Sequence, residues 1–295
     1  MKRFSTFNVD LSENIAYNDP AFPAYIASGL MSFYPGLRGN AHWHEDLEFV
    51  IPVRNSELYN VDGSIIELKE GDGIFVNSRH VHYGFVTEHT DCEYICIILN
   101  PSLLCANREF DESFVRPFVY SSSLPYIKLV REIPWQKKVI GILRELFRLR
   151  EKPMWQFSVQ KQFFEIFELL YVHSGIQPDE QPRESSSLNA LKLMMGFIQK
   201  NYRKKISLEQ IASAGFCCKS KCSALFNAYL KESPVTYLIK YRLKVSTELL
   251  CKTEMPVTEI AYESGFSGTS YFCETFHKYY QTAPLEFRKN SALLP

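Results

Sequence analysis

The stretch PVTEIAYESGFSGTSYFCETFHKYYQTAPLEFR, from Pro256 to Arg288, constrains this chain most, because its apolar spacing fits two short helices joined by a glycine turn. Ile260 and Ala261 face inward on the first helix and Gly265 takes a left-handed turn. A second helix, from about Gly268, buries Phe272, Phe276 and Tyr279. Its opposite face, with Thr269, Ser270, Cys273 and Glu274, is left for a partner, which for a helix-turn-helix is the major groove. A similar pattern, ISLEQIASAGFCCKSKCSALF, runs from Ile206 to Phe226. Two matched units seldom arise by chance.

In this first unit Leu208, Ile211 and Ala212 point inward, and Cys222, Leu225, Phe226 and Tyr229 form the buried stripe of the second helix. Ser220, Lys221, Ser223, Ala224 and Asn227 face outward. Ser233-Pro234 supplies a cap and a first-turn proline for a connecting helix through Arg242 to about Leu250. A preceding helix, Ser187 through Tyr202, buries Leu191, Met194, Met195 and Ile198 and leaves Lys192, Lys200 and the cluster Arg203, Lys204, Lys205 for phosphates.

The second unit, with GFSGTSYF, a following TF and then Pro284, Phe287 and Arg288 in register, resembles the AraC family of bacterial transcription regulators. The resemblance is strong over roughly 188–289 and implies two recognition helices in successive major grooves. It places Lys219, Ser220, Lys221, Ser223, Ala224, Asn227, Arg242, Thr269, Ser270, Cys273, Glu274, Lys278 and Arg288 toward DNA. Several residues depart from the family pattern. Cys218 stands where a capping serine is usual, Phe216 replaces the turn glycine with Gly215 one place early, and Lys231 and Gln281 replace the glycine after each recognition helix. Ala224 and Glu274 occupy positions that are often basic, so the Arg-to-guanine contact is missing, while Glu274 suits cytosine N4.

Charge supports the same division. From Leu188 onward there are 15 Lys+Arg against 8 Asp+Glu, and before it 18 against 25, in a chain of net charge zero. No signal-peptide or bilayer-spanning apolar run is present, which implies a cytoplasmic protein and no membrane partner. The eight cysteines show no paired CxxC spacing and read as free, mostly buried thiols.

From about Tyr25 to Asn100 short β-branched and aromatic runs alternate with turns, including an Asp62-Gly63 hairpin signal, which implies a small barrel or jelly roll. Within it His42-Trp43-His44, Glu48, Glu70-Gly71-Asp72 and His82 resemble the cupin pattern, whose enzymes bind metal at the positions of His42, His44, Glu48 and His82. On a strand His42, His44 and Glu48 share one side. These four are expected to line an effector pocket with no cofactor; a transition metal held by them is the alternative.

Helices at Ile133 to Glu151 and Met154 to His173 carry apolar stripes that include Leu146 and Phe167, broad enough to serve a homodimer interface or an intramolecular hairpin. The expected fold is α+β: 1–130 a cupin-like effector barrel, 131–173 a helical dimerisation hairpin, 174–187 a linker and 188–295 the double helix-turn-helix domain. The expected function is transcription regulation under a small-molecule effector, and not enzymatic. Double-stranded DNA, a sugar and RNA polymerase are the expected partners. A metal-dependent cupin enzyme fused to a DNA-binding module, or a constitutive regulator whose barrel only dimerises, would fit the same chain.

Overall fold

The structure is a computed structural model that describes residues 6–7, 12–87, 91–176 and 185–292. Two compact units emerge, one of Ser12–Met31 with Ala41–Ser185 and another of Met1–Leu11, Ser32–Asn40 and Ser186–Pro295. Most of the sequence-expected linker, at 177–184, lies outside the described residues.

The first unit contains strands β1 (Ala24–Leu30), β2 (Leu47–Arg54), β3 (Glu57–Val61), β4 (Ser64–Leu68), β5 (Gly73–Val76), β6 (His82–Phe85), β7 (Glu93–Leu99) and β8 (Tyr126–Leu129). They form a five-stranded antiparallel sheet, β8-β5-β2-β7-β1, and a three-stranded sheet, β4-β3-β6. Among the described residues this is a pair of packed sheets, as in a jelly roll, and not a closed barrel. The corner has a local cause. The β2–β7 register shifts between Pro52, which has no N–H to give, and Arg54, and Asn55 at φ 64° then turns the chain so that β3 pairs in the other sheet. The Asp62-Gly63 hairpin forms, with both residues at positive φ, 49° and 90°, and Val61 paired to Ser64.

Alternation along β2 sends its two faces to different cores. Leu47, Phe49 and Ile51 pack with helices α1 (Pro134–Leu149) and α2 (Trp155–Ser174), whereas Val50 joins Tyr59, Val61, Ile66, Ile74 and Val76 between the sheets. Glu48 shares the face of Val50 and so enters the sandwich. The apolar stripes of α1 and α2 are absorbed by the five-stranded sheet. Leu146 and Phe167 are therefore buried core residues of this chain.

The second unit is helical: α3 (Ser186–Asn201), α4 (Leu208–Ala214), α5 (Lys219–Leu225) continued by a π turn at Phe226–Leu230, α6 (Pro234–Lys252), α7 (Val257–Glu263), α8 (Thr269–Tyr280) and α9 (Pro284–Ala292). A capping box opens α4, with the Gln210 N–H on Ser207 Oγ and the Ser207 N–H on Gln210 Oε1, and Ser233 Oγ accepts from the Thr236 N–H at the start of α6. Leu243, Ile260, Ala261, Phe266, Phe272 and Phe276 close one core around the second helix-turn-helix. Lys192, expected to face phosphates, is only 5% exposed, because it lies on the face of α3 that carries Leu188, Leu191 and Met195 into the interior. No described helix is long and apolar enough to cross a membrane.

Candidate functional site

Each helix-turn-helix exposes one side of its second helix. On α5, Lys219, Ser220, Lys221, Ala224 and Asn227 are exposed and Ser223 is half-buried, while Cys222, Leu225 and Phe226 are buried. Lys219 Nζ lies 2.5 Å from Glu209 Oε1, a surface pair that leaves its charge partly answered. On α8, Ser270, Glu274 and Lys278 are exposed and Thr269 is half-buried. Cys273 packs beside the core of the unit, so it offers that face less than its spacing suggests. Tyr271 and His277 are also exposed and went unrecognised in the sequence. His277 continues the Ser270–Cys273–Glu274 row by one helical turn, and that periodicity was the signal available.

Two residues expected toward DNA bond within the chain. Arg242 donates from Nε to the Tyr202 carbonyl at 2.8 Å and from Nη2 to that of Lys204 at 3.0 Å. Arg288 likewise donates to the carbonyls of Leu250, 3.2 Å, and Met255, 2.6 Å. Both guanidiniums tie down the chain leading into a helix-turn-helix, satisfying backbone acceptors at or just beyond a helix end.

The turns follow the departures seen in the sequence. Gly265 adopts φ 86°, and a Cβ there would lie 2.4 Å from the Tyr202 carbonyl oxygen. In the first unit it is Phe216 that takes the left-handed position, at φ 52°, while Gly215 stays at φ −93°. Lys231 and Gln281 end the recognition helices at φ 55° and 54°.

In the first unit of the fold, His42, His44, Glu48 and His82 converge, with one ligand atom from each lying within 4.8 Å of the others. Glu48 is the second residue of β2 and His82 the first of β6; His42 and His82 exchange backbone hydrogen bonds in an isolated bridge, and His44 sits in the irregular chain before β2. His44 Nε2 is 3.1 Å and His82 Nε2 3.5 Å from Glu48 Oε2, while Tyr59 donates its hydroxyl to Glu48 Oε1 at 2.5 Å. Glu13 Oε2 reaches His42 Nε2 at 3.2 Å. Neither Glu13 nor Tyr59 carried a sequence signal, since both come from distant segments. His80 stands apart, bonded through Nδ1 to Asp62.

Burial opposes ionisation of Glu48, yet the facing histidines outweigh it and hold the carboxyl well below the usual range. Burial likewise disfavours the His44 cation, but the hydrogen bond and charge of Glu48 raise its pKa. Burial lowers the His42 pKa to about 4 against the pull of Glu13. Nδ1 of His44 lies 3.0 Å from the Asp46 carbonyl and Nδ1 of His82 lies 2.8 Å from the His80 carbonyl. Carbonyls only accept, so both Nδ1 atoms carry hydrogen and both Nε2 atoms face the shared point. His82 Nε2 is buried without a hydrogen-bond partner. Three imidazoles and a carboxylate so arranged fit a divalent transition ion.

A module with two helix-turn-helix units exposing polar rows, preceded by a β-sandwich bearing this cluster, defines a DNA-binding regulator with a sensory domain. Family models agree: a helix-turn-helix domain matches residues 211–290 and a cupin domain matches 29–98. The chain is 32% identical over 250 residues to the uncharacterized HTH-type transcriptional regulator YdeC of Bacillus subtilis, covering 84% of this chain and 85% of that one. It is 19% identical over 264 residues to the melibiose operon regulatory protein of Escherichia coli K12, covering 87% and 86%. The crystal structure of ToxT from Vibrio cholerae O395 superposes with a TM-score of 0.48 at 14% identity, over 90% of this chain and 97% of that one. The protein belongs to the AraC family of helix-turn-helix transcription regulators.

Proposed function

We propose that this regulator is a cytoplasmic homodimer that binds a small effector in its cupin unit, reads one DNA site with both recognition helices and acts on RNA polymerase. The observation that carries the reading is that α5 and α8 each keep a polar row clear of the core, in a segment with 15 Lys+Arg against 8 Asp+Glu. Two recognition helices on one duplex face read half-sites about one helical turn, ~10 base pairs, apart. Selection of bound duplexes from a random pool should return two sequence blocks with that spacing. A single block, or none, would sink the reading.

The effector site lies beside His42, His44, Glu48 and His82, and a sugar is the class that the family resemblance suggests. A metal at these four residues would fix their geometry for ligand binding. The same donor set would serve a metal-dependent oxygenase or isomerase, which is the second reading. Metal analysis of wild type and a His42→Ala, His44→Ala variant separates a bound ion from none, and turnover assays on the metal-loaded protein separate sensor from enzyme.

The dimer face is the outer side of α2. Phe157 is 71% and Val172 69% exposed, and an apolar groove of about 470 Å³ is lined by Phe110, Phe114, Phe164, Tyr171 and Val172. Phe157→Asp with Val172→Asp should give a folded monomer by sedimentation, because neither side chain supports the core. A persistent dimer would move the interface elsewhere.

A further inference from the structure

One piece of the DNA-binding unit comes from the N-terminal half of the chain. Ser32–Asn40 follows β1 and Met31, groups with the helical unit, and returns to the effector unit at Ala41, one residue before His42. Its corner is tight. Gly36 at φ 62° and Leu37 at φ 54° are both left-handed, and the Leu37 N–H donates to the Tyr34 carbonyl at 3.1 Å. The corner lies against helices α6 and α8.

This strap reaches the far ends of both recognition helices. Arg38 donates from Nη2 to the carbonyl of Leu230, the last residue of the π turn that continues α5. The helix can run no further there, since Lys231 is left-handed at φ 55° and Pro234, four residues on from Leu230, has no N–H to offer. The same guanidinium lies 3.9 Å from Glu232 Oε2, a carboxylate that Lys240 Nζ also holds at 2.6 Å. At the other recognition helix, a Cβ on Gly36 would lie 3.6 Å from the Tyr279 ring of α8. The π turn carries Asn227, an exposed residue of the first polar row, so a hold on Leu230 is a hold on the last turn of that row.

Four residues of chain, about 14 Å at full extension, join Arg38 to His42. His42 is bonded outside the cluster, with its Nε2 3.2 Å from Glu13 Oε2. A ligand taken at the shared point draws on the His42 ring against that pair, and a shift of His42 passes along the backbone to Arg38.

We propose that Arg38 is a positioning residue for DNA reading, holding the end of the first recognition helix, and that Ser32–Asn40 passes the state of the histidine cluster to that helix. The trigger rests on the effector reading above; the hold of Arg38 does not.

The test uses the full-length protein and the duplex recovered by selection, with binding read by fluorescence anisotropy at one salt concentration. Arg38→Ala should weaken binding about tenfold, the size of one hydrogen bond from a charged group. The loss should fall on the sequence block that Ala224→Arg redirects, with base preference in the other block kept. Arg38→Lys retains the charge and a donor and should recover part of the loss, which a general loss of stability would not predict. If Arg38→Ala does not fold, Arg38→Gln, with a donor but no charge, carries the same comparison. Equal loss in both blocks, or no loss in a folded variant, overturns the hold. For the trigger, His42→Ala should change DNA affinity about threefold or more in the wild-type background and leave it unchanged in the Arg38→Ala background. The same change in both backgrounds, or none in either, overturns the coupling. Calorimetric titration with zinc and thermal shift with glucose read the effector site separately: ligand binding without coupling overturns the strap and keeps the effector reading, and coupling without ligand binding does the reverse.

Discussion

The two helix-turn-helix units share one fold but satisfy its sharpest local demand differently. Both need a left-handed residue between their helices: the second supplies Gly265, the first supplies Phe216, a residue 89% exposed. A left-handed backbone costs an L-residue about 1–2 kcal/mol, and an exposed ring recovers none of it through packing. The caps reverse the ranking. Ser207 gives α4 a full capping box, while Pro256 precedes α7 with no side-chain cap. Local optimisation in such a repeat is therefore shared out, and what the units keep in common is the pairing of buried aromatics with a clear polar face.

The largest effect should come from Gly265. Replacing it with alanine puts a β-carbon at φ 86° and 2.4 Å from the Tyr202 carbonyl, where backbone must move. Strain and displacement together should cost about 3 kcal/mol in urea unfolding. Gly215→Ala is the contrast. Its φ of −93° suits alanine, and the nearest atom, Met194 Cγ at 2.6 Å, can swing away, though the Ala190 carbonyl at 2.9 Å cannot. About 1–2 kcal/mol is expected there. The opposite order would break the claim that the second turn is the tighter one.

Reading comes next. Glu274 is exposed on α8 and Ala224 on α5, and neither presents a guanidinium. Glu274→Arg should move preference at one base pair from cytosine toward guanine by about 1–3 kcal/mol, and Ala224→Arg should add a guanine preference in the other block. Paired selections at one salt concentration measure both. Uniform tightening on all sequences would mean that these positions face phosphates only.

Much of this comparison was legible in the sequence, because helix-turn-helix chemistry is local: Gly265, the Phe272 and Phe276 stripe and the misplaced Gly215 all act within a few residues. The strand alternation and the Asp62-Gly63 hairpin were legible for the same reason. What escaped depends on long-range placement. Glu13 and Tyr59 join the histidine cluster from separate segments, and Arg242 and Arg288, expected toward DNA, have the carbonyls of Tyr202, Lys204, Leu250 and Met255 as acceptors. For the helical hairpin the sequence left both a subunit interface and an intramolecular partner open, because a stripe's breadth does not say which surface meets it; Leu146 and Phe167 meet the core of their own chain.

Phe216→Gly should stabilise the first unit by about 0.5–1 kcal/mol, the left-handed cost less the entropy that glycine adds to the unfolded chain. Chemical unfolding decides it. A loss of stability would show that the ring makes a favourable contact in the free protein.

The smallest effect concerns the starts of the recognition helices. Cys218 precedes α5 at φ −79°, ψ 162°, already the backbone of a cap residue, but its thiol makes no cap hydrogen bond. The first N–H groups of that helix therefore lack the side-chain acceptor that Ser207 and Ser233 give to α4 and α6. Cys218→Ser supplies a hydroxyl of the right reach with no backbone change, and should add about 0.5 kcal/mol or slightly more. Gly268 is the matched position before α8, at an extended φ of −178° with nothing within 4 Å of the place a Cβ would take, so serine fits there too. Serine improves on glycine at a cap by only a few tenths of a kcal/mol, so Gly268→Ser should gain less than Cys218→Ser. Unfolding curves for the two single variants and the double variant test the order. Equal gains would mean that the thiol already serves as an acceptor in solution, and the first unit would then be no worse capped than the second.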